Sequence, residues 1–183
     1  MSLLSYTQLC QLVDTGFITP VEHDCINASS IDIHLGDEII IEQNTGNYTF
    51  VDPHKRTNFP QKKLSLSRDL GGYYDLEPGE FILAHSVEVF NLPNNISAEF
   101  RLKSSGARSG LNNLFACHCD AGWHGSTLTL ELKNELRYSH IRLTAGMRIG
   151  QMLFHGHMHV PDDRSYAARG RYINDKSVSA VKQ

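Results

Sequence analysis

Residues 81–102 of the sequence are FILAHSVEVFNLPNNISAEFRL. The stretch contains the β-type runs FILA, SVEVFNL and SAEFRL, with a Pro93-Asn94 turn signal before the last of them. Further runs follow at 127–132, 140–143 and 149–154, separated by glycine-containing turns. Short strands at this spacing predict a mostly β domain, a barrel or a sandwich, rather than alternating strands and helices.

The region before this stretch carries two other patterns. Leu9, Leu12 and Val13 recur at helical spacing, and Gly16 stands where a helix commonly ends, which predicts an N-terminal helix. Residues 31–35 alternate apolar and polar side chains, which predicts a strand with one buried face.

Two segments lack such periodicity. The polar residues 44–60, with Gly, Asn and Pro, predict loops or a hairpin. The polar and basic residues from Arg164 onward predict a mobile tail. No linker or repeat interrupts the chain, so we expect one domain over residues 1–183.

Composition excludes several classes of function. The net charge of −3, without a basic stripe, argues against nucleic-acid binding. No apolar run approaches the roughly 18 to 20 residues that span a bilayer, and the first residues lack the features of a secretory signal. We therefore expect no membrane partner and a cytoplasmic location. The cysteines lack CxxC spacing and are predicted to be reduced thiols: Cys10, Cys25, Cys117 and Cys119.

Five segments concentrate the residues suited to chemistry. They are SSIDIHLG (29–36), PGEFILA (78–84), KSSGARSGL (103–111), DAGWHG with TLEL (120–125 and 129–132) and GMRIGQ (146–151). In this order, over about residues 4–172, they resemble the dCTP deaminase branch of the dUTPase-like family. The resemblance implies a distorted, jelly-roll-like β-barrel (a β-clip) with an N-terminal helix and a flexible C-terminal lid from about residue 164. It also implies dCTP as substrate and a homotrimer with active sites between subunits.

The segment 103–108 has the residues that a triphosphate requires. Lys103, Ser104, Ser105 and Arg108 supply positive charge and hydroxyls beside small residues that let backbone N–H groups approach. From the residues alone, an ordinary polar turn is the alternative. The resemblance assigns all four to substrate binding, and Ser105 and Arg108 also to catalysis. Lys103 stands where the family often has Arg, and because lysine lacks the bidentate fork, we expect a point contact with phosphate or an ordering role.

Glu131 lies in the run TLTLEL, on the face opposite the leucines. Hydrolytic deamination needs a group that takes a proton from the attacking water and delivers it to N3 and then to the leaving ammonia. The resemblance identifies Glu131 as this catalytic residue, and Thr129, on the same face, as a substrate contact. A solvated carboxylate on a strand face is the alternative from the residues alone.

The turn that begins at Asp120 is predicted to hold the sugar and the base. In the family, the matching aspartate lies near the deoxyribose and an aromatic ring, here Trp123, shapes the pocket. Ala116 falls where the family uses a backbone carbonyl near the base. This carbonyl would accept a hydrogen bond from the exocyclic amine of cytosine, whereas uracil would leave it unpaired, and the difference would select cytosine over uracil.

The C-terminal segment resembles the family's lid. Arg171-Tyr172 resembles a Lys-Tyr pair with the basic residue exchanged, while Asp175 or Lys176 stands where a glutamine is expected. A closing lid would exclude water and complete the phosphate contacts, whereas a disordered terminus is the alternative. The residues predicted to contact substrate are Tyr166, Arg171, Tyr172 and Lys176.

The chain departs from the family's spacing at two places. It has one residue more between Gly125 and Glu131, and one fewer between Lys103 and Asp120. A one-residue change inverts the faces of a strand unless a bulge or a loop absorbs it. We expect the change to be absorbed near Gly125-Ser126.

Metal-binding patterns are weak. The signature of zinc deaminases, H-x-E followed by PCxxC, is absent, and Cys117-His118-Cys119 would alternate faces on a strand, so we expect no zinc. His155, His157 and His159 would share a strand face, and we expect them to be exposed or at a trimer interface rather than bound to metal. Mg²⁺ is expected with the triphosphate, held largely by phosphates and water.

These observations predict deamination of dCTP to dUTP and ammonia, in pyrimidine deoxynucleotide metabolism. The nearest alternatives are a bifunctional enzyme that forms dUMP and pyrophosphate, and a dUTPase. A nucleotide-sensing protein without turnover is an alternative of another class. The sequence leaves open whether dTTP acts as an inhibitor.

Overall fold

The computed structural model describes residues 2–116 and 118–182, and the described chain is mostly β, as predicted. The strands are β1 (Ser2–Leu3), β2 (Ile18–Thr19), β3 (Ile31–His34), β4 (Glu38–Glu42), β5 (Gln61–Ser65), β6 (Tyr73–Leu76), β7 (Phe81–Asn91), β8 (Ile96–Leu102), β9 (Leu111–Asn112), β10 (His118–Cys119), β11 (His124–Asn134), β12 (Ile141–Thr144) and β13 (Arg148–Gly156). The helices are α1 (Tyr6–Asp14), α2 (Leu66–Leu70), α3 (Ser104–Arg108) and α4 (Tyr166–Arg169), with 3-10 turns at His23–Cys25 and Asp162–Arg164.

Two antiparallel sheets make up most of the fold. The five-stranded sheet has the order β1-β13-β8-β10, and β3 also pairs with β13. The six-stranded sheet has the order β5-β4-β7-β11-β9, and β2 also pairs with β7. Strands far apart in sequence lie side by side in both sheets, which confirms the predicted barrel-like or sandwich-like architecture.

The hydrophobic core takes side chains from both sheets and from α1. Phe90 on β7, Phe154 on β13 and Leu9 on α1 are fully buried in one cluster. On β11 the predicted alternation holds over residues 128–133, where Leu128, Leu130 and Leu132 are buried and the residues that alternate with them are only partly buried. The opposite face of β11 is therefore free to contribute to a site.

The predicted N-terminal helix is confirmed as α1. Its first turn is capped by Gln8, whose Oε1 accepts a hydrogen bond from the N–H of Ser5 at 3.0 Å. The helix ends before Gly16, which has a φ of +78°, a conformation that glycine adopts without steric cost.

A bulge lies in β11 where the sequence predicts one. Between the paired residues His124 and Ser126, β11 has one residue more than β7. The extra residue is Gly125, with a φ of +68°. Because this residue is added to β11 alone, the strand stays paired with β7 beyond the bulge, and Glu131 lies opposite Leu83.

The runs FILA and SVEVFNL belong to a single strand, β7, of 11 residues. A second irregularity, between Thr127 and Thr129 of β11, accommodates extra residues of β7. There Ser86 Oγ accepts a hydrogen bond from the N–H of Leu128 at 2.9 Å. The hydroxyl of Ser86 thus replaces a backbone acceptor at the point in β7 where the predicted run SVEVFNL begins.

The two aperiodic segments differ in their surroundings. Residues 44–60 contain no strand or helix, which confirms the prediction of loops. The residues after α4 pack against the six-stranded sheet, and Val178 is only 3% exposed. Mobility of this segment stays a prediction. In the described part of the chain, no helix is long and apolar enough to span a bilayer.

Candidate active site

A cavity of about 540 Å³ lies against the face of β11 that carries Glu131. Loop residues 51–59 and the C-terminal segment complete its walls. Of the residues predicted to bind substrate, seven line this cavity: Ala116, Asp120, Trp123, Thr129, Glu131, Tyr166 and Tyr172. The structure therefore brings together the residues assigned to the base, the sugar and the proton transfer.

Glu131 lies among apolar neighbours. Its partner across the strand pair is Leu83, and Phe81 also lines the cavity. Its carboxylate forms no ion pair or hydrogen bond with another side chain of the described residues. Burial raises its pKa from 4.5 to about 7, against a smaller opposing effect of its own backbone N–H. A carboxyl group with this pKa can take up and return a proton at neutral pH.

Trp123 is held mainly by the core. Its ring stacks on Phe90 with 5.3 Å between centroids, and only 6% of the residue is exposed. Its Nε1 donates a hydrogen bond to the backbone oxygen of Tyr172 at 2.7 Å. Trp123 therefore lines the cavity and also ties the C-terminal segment to the fold.

Asp120 is exposed at the rim of the cavity. Its carboxylate lies 3.3 Å from Nε2 of His118. The turn that follows contains Gly122, at a φ of +83°, where an added Cβ would meet the side chain of Asn94 at 2.6 Å. This close turn fixes the position of Asp120 relative to Trp123.

Lys103 is bound to a buried carboxylate. Its Nζ lies 2.6 Å from Oδ1 of Asp32, which is 2% exposed. Asp32 also accepts a hydrogen bond from Asn27 at 2.8 Å and lies 3.4 Å from Arg148. The contact agrees with an ordering role for Lys103, because it anchors the start of α3 to β3. A contact with phosphate stays a prediction.

The remaining predicted phosphate contacts lie outside the cavity. Ser104, Ser105 and Arg108 belong to α3 and are exposed. In the tail, Arg171 and Lys176 are also exposed and outside the lining. The described lining contains no lysine or arginine, so a triphosphate bound here needs positive charge from beyond it.

Several residues of the cavity were not identified from the sequence. Phe81 and Leu83 line it because strand alternation puts them on the face of Glu131, a signal that was available. Asp175 lines it as well, and its carboxylate accepts a hydrogen bond from Ser179 at 2.7 Å and pairs with Lys182 at 2.8 Å. Burial opposes ionisation of Asp175, but these partners hold its pKa below the usual value.

The prediction that three histidines near the end of β13 share a strand face is wrong. β13 ends at Gly156, so His157 and His159 lie beyond the strand and do not share a strand face with His155. Nε2 of His155 is buried and has no hydrogen-bond partner among the residues that the structure describes. His118 is exposed and Cys119 is buried, as alternation predicts, while Cys117 lies outside the described residues. Among residues 2–116 and 118–182, no three His, Cys, Asp or Glu side chains cluster as metal ligands.

The chain matches a family model described as dCTP deaminase-like over residues 3–157. It is 31% identical over 170 residues to a Methanoregula boonei protein named "dCTP deaminase, dUMP-forming", covering 90% of this chain and 87% of that one. It is 33% identical over 178 residues to an Aquifex aeolicus protein of the same name, covering 96% and 92%.

Among solved structures, the fold is similar to the 2'-deoxycytidine 5'-triphosphate deaminase of Agrobacterium tumefaciens. The TM-score is 0.61 and the identity 20%, over 83% of this chain and 47% of that chain. The chain thus spans about half the length of that structure, and the likeness supports the fold alone.

Proposed function

We propose, because this chain belongs to the dCTP deaminase-like family, that it is an enzyme that hydrolyses dCTP to dUMP, ammonia and pyrophosphate. The observation that carries the proposal is the carboxylate of Glu131, which stands in an apolar cavity with a pKa raised to about 7. The sequence alone favours dUTP as the product, whereas the names of the relatives favour the bifunctional alternative.

The first step is the hydrolytic loss of the amino group. A water molecule attacks C4 of cytosine while Glu131 takes its proton, and the carboxylic acid then protonates N3. The tetrahedral intermediate then collapses: Glu131 moves the proton of the new C4 hydroxyl to the departing nitrogen, the C4–N bond breaks and C4=O forms, while N3 keeps its proton, so dCTP and water become dUTP and ammonia. A pKa near neutrality suits this shuttle, because both protonation states are populated at the working pH.

The second step is hydrolysis between the α- and β-phosphates. A second water molecule attacks phosphorus, and dUTP becomes dUMP and pyrophosphate. Mg²⁺ bound to the phosphates would neutralise charge on the leaving pyrophosphate.

The exposed carboxylate of Asp120, at the rim between cavity and solvent, is suited to a polar contact with the sugar.

We further propose a homotrimer in which α3 of a neighbouring subunit completes each site. The cavity of one chain lacks a lysine or arginine among its described lining residues, although its substrate carries a triphosphate. Ser104, Ser105 and Arg108 are exposed and without side-chain partners in the described chain, as expected of residues that serve a neighbour. The reaction would take place in the cytoplasm, where deoxynucleotides are made.

Product analysis tests the proposal. Protein stripped of metal with EDTA is supplied with Mg²⁺ and dCTP, and nucleotides, ammonia and pyrophosphate are measured over time. Equal amounts of ammonia, dUMP and pyrophosphate are expected. Ammonia with dUTP alone would restrict the activity to deamination. Binding of dCTP without turnover would support the nucleotide-sensing alternative.

A further inference from the structure

Asn58 and Val181 are joined by two reciprocal hydrogen bonds. Nδ2 of Asn58 donates to the backbone oxygen of Val181 at 3.1 Å, and the N–H of Val181 donates to Oδ1 of Asn58 at 3.0 Å. The amide side chain thus pairs with the backbone as a neighbouring strand would. Both residues line the cavity that contains Glu131.

The loop of residues 51–59 and the tail of residues 175–181 also share an apolar cluster. Phe59, next to Asn58, packs edge-on against Phe81 with 6.0 Å between ring centroids. Val178 is buried in this cluster together with Leu83, the partner of Glu131 across the strands. The loop and the tail therefore meet at the wall of the cavity that Glu131 also lines.

The tail is fixed at its other end by the bulged part of β11. The N–H of Thr127 donates to the backbone oxygen of Asp175 at 2.8 Å. Ser126 Oγ donates to the backbone oxygen of Tyr172 at 2.8 Å. Residues 175–181 thus cross the cavity between two attachments, one on β11 and one at Asn58.

We propose that Asn58 is a positioning residue that holds the C-terminal segment closed and thereby retains the deaminated nucleotide for the second hydrolysis. This inference rests on the proposed dUMP-forming function. Between the two steps dUTP either dissociates or is hydrolysed, and a segment held across the cavity slows dissociation. Asn58 contacts no reacting group and acts through Val181.

The test compares Asn58→Ala with Asn58→Gln, which keeps the amide, and with Asn47→Ala, an exposed asparagine of the same loop. Each protein is given dCTP, and the ratio of free dUTP to dUMP is measured at early times. Dissociation of a dUTP analogue with an imido link between the α- and β-phosphates is measured separately, together with hydrogen exchange of residues 176–182.

In Asn58→Ala we expect dissociation of the analogue to accelerate about three- to ten-fold, because both hydrogen bonds of the side-chain amide are lost. The ratio of dUTP to dUMP and the hydrogen exchange of the tail should rise as well. Asn58→Gln should recover part of the effect, and Asn47→Ala should match the wild type.

Unchanged dissociation of the analogue in Asn58→Ala would overturn the inference, as would faster exchange of the tail with an unchanged ratio of products. If the wild type forms only dUTP, the proposed dUMP-forming function fails and so does the retention for a second step. Analogue dissociation then shows separately whether Asn58 still holds the segment closed.

Discussion

Glu131 stands directly opposite Leu83 where β11 pairs with β7. The apolar side chain across the strands, with Phe81 nearby, gives the carboxylate little solvation and no cationic partner among the described residues. Its pKa is consequently about 7. Ionisation of a carboxyl group in these surroundings lowers the free energy of unfolding. Such strongly shifted pKa values are concentrated at functional sites, where the side chain takes part in the reaction.

Replacement of Glu131 by glutamine should stabilise the protein at alkaline pH. The folded-state pKa of about 7 exceeds the ordinary 4.5, so the free energy of unfolding falls as the pH rises through this window. We expect Glu131→Gln to be more stable than the wild type by about 1–2 kcal/mol at pH 8, allowing for partial exposure, and similar at pH 4. Urea unfolding at both pH values measures this.

Glu135→Gln is the control for that experiment. Hydrogen bonds from Asn112 and Lys133 lower the pKa of the exposed Glu135, so its replacement should bring no gain at pH 8. Equal stability of Glu131→Gln and the wild type at pH 8 would contradict the raised pKa.

Replacement of Asp32 by asparagine should weaken the fold. Asp32 is buried and balances the charge of Lys103, which would lose its carboxylate partner. Arg148, 3.4 Å from Asp32, would keep its closer partner Asp24 at 2.7 Å. We expect a loss of about 2–4 kcal/mol in the free energy of unfolding, measured with urea at pH 7. Asp14→Asn, in an exposed pair with His23, should change stability by less than about 0.5 kcal/mol. Similar losses in the two variants would refute the anchoring role of Asp32.

Gly125→Ala should displace the tail. The φ of +68° disfavours alanine, and its Cβ would meet Oδ1 of Asn174 at 2.1 Å. We expect a KM for dCTP raised about ten-fold and faster hydrogen exchange after residue 172. Gly46 also has a positive φ, +75°, but a Cβ added there would meet no atom within 4 Å, so Gly46→Ala tests backbone strain alone. Equal effects of the two substitutions would count against a packed tail.

Mixed trimers should regain activity that their parents lack. If Glu131 and Arg108 of one site come from different subunits, Glu131→Gln and Arg108→Ala trimers are each inactive. Subunits exchanged at a one-to-one ratio would then restore about a quarter of the sites. Ammonia release before and after mild denaturation and refolding of the mixture measures this. A mixture that stays inactive while its subunits have exchanged would place both residues in one chain.

Much of the site follows from local sequence patterns. Alternation in TLTLEL predicts that Glu131 faces away from the leucines. The resemblance to the family, rather than a local pattern, implies an extra residue near Gly125, where the structure has a bulge. Helix α1 and the longer strands of the core follow from periodicity and turn residues alone; these strands are β3, β7, β8, β11, β12 and β13.

Contacts between distant segments could not be predicted in this way. The pairing of Lys103 with Asp32 joins residues 71 positions apart, and that of Asn58 with Val181 spans 123 positions. In neither pair does the sequence around one residue indicate which distant residue it contacts. The polar tail has no hydrophobic periodicity of its own, so its sequence does not show that Val178 packs in an apolar cluster formed with strands of the folded sheet.

The most direct test of the account is the release of ammonia from dCTP by Glu131→Gln, Glu135→Gln and the wild type at pH 7. The account predicts that Glu131→Gln loses about 10³-fold in kcat while it still binds dCTP, and that Glu135→Gln stays within about two-fold of the wild type. A Glu131→Gln protein that releases ammonia within ten-fold of the wild-type rate would contradict it.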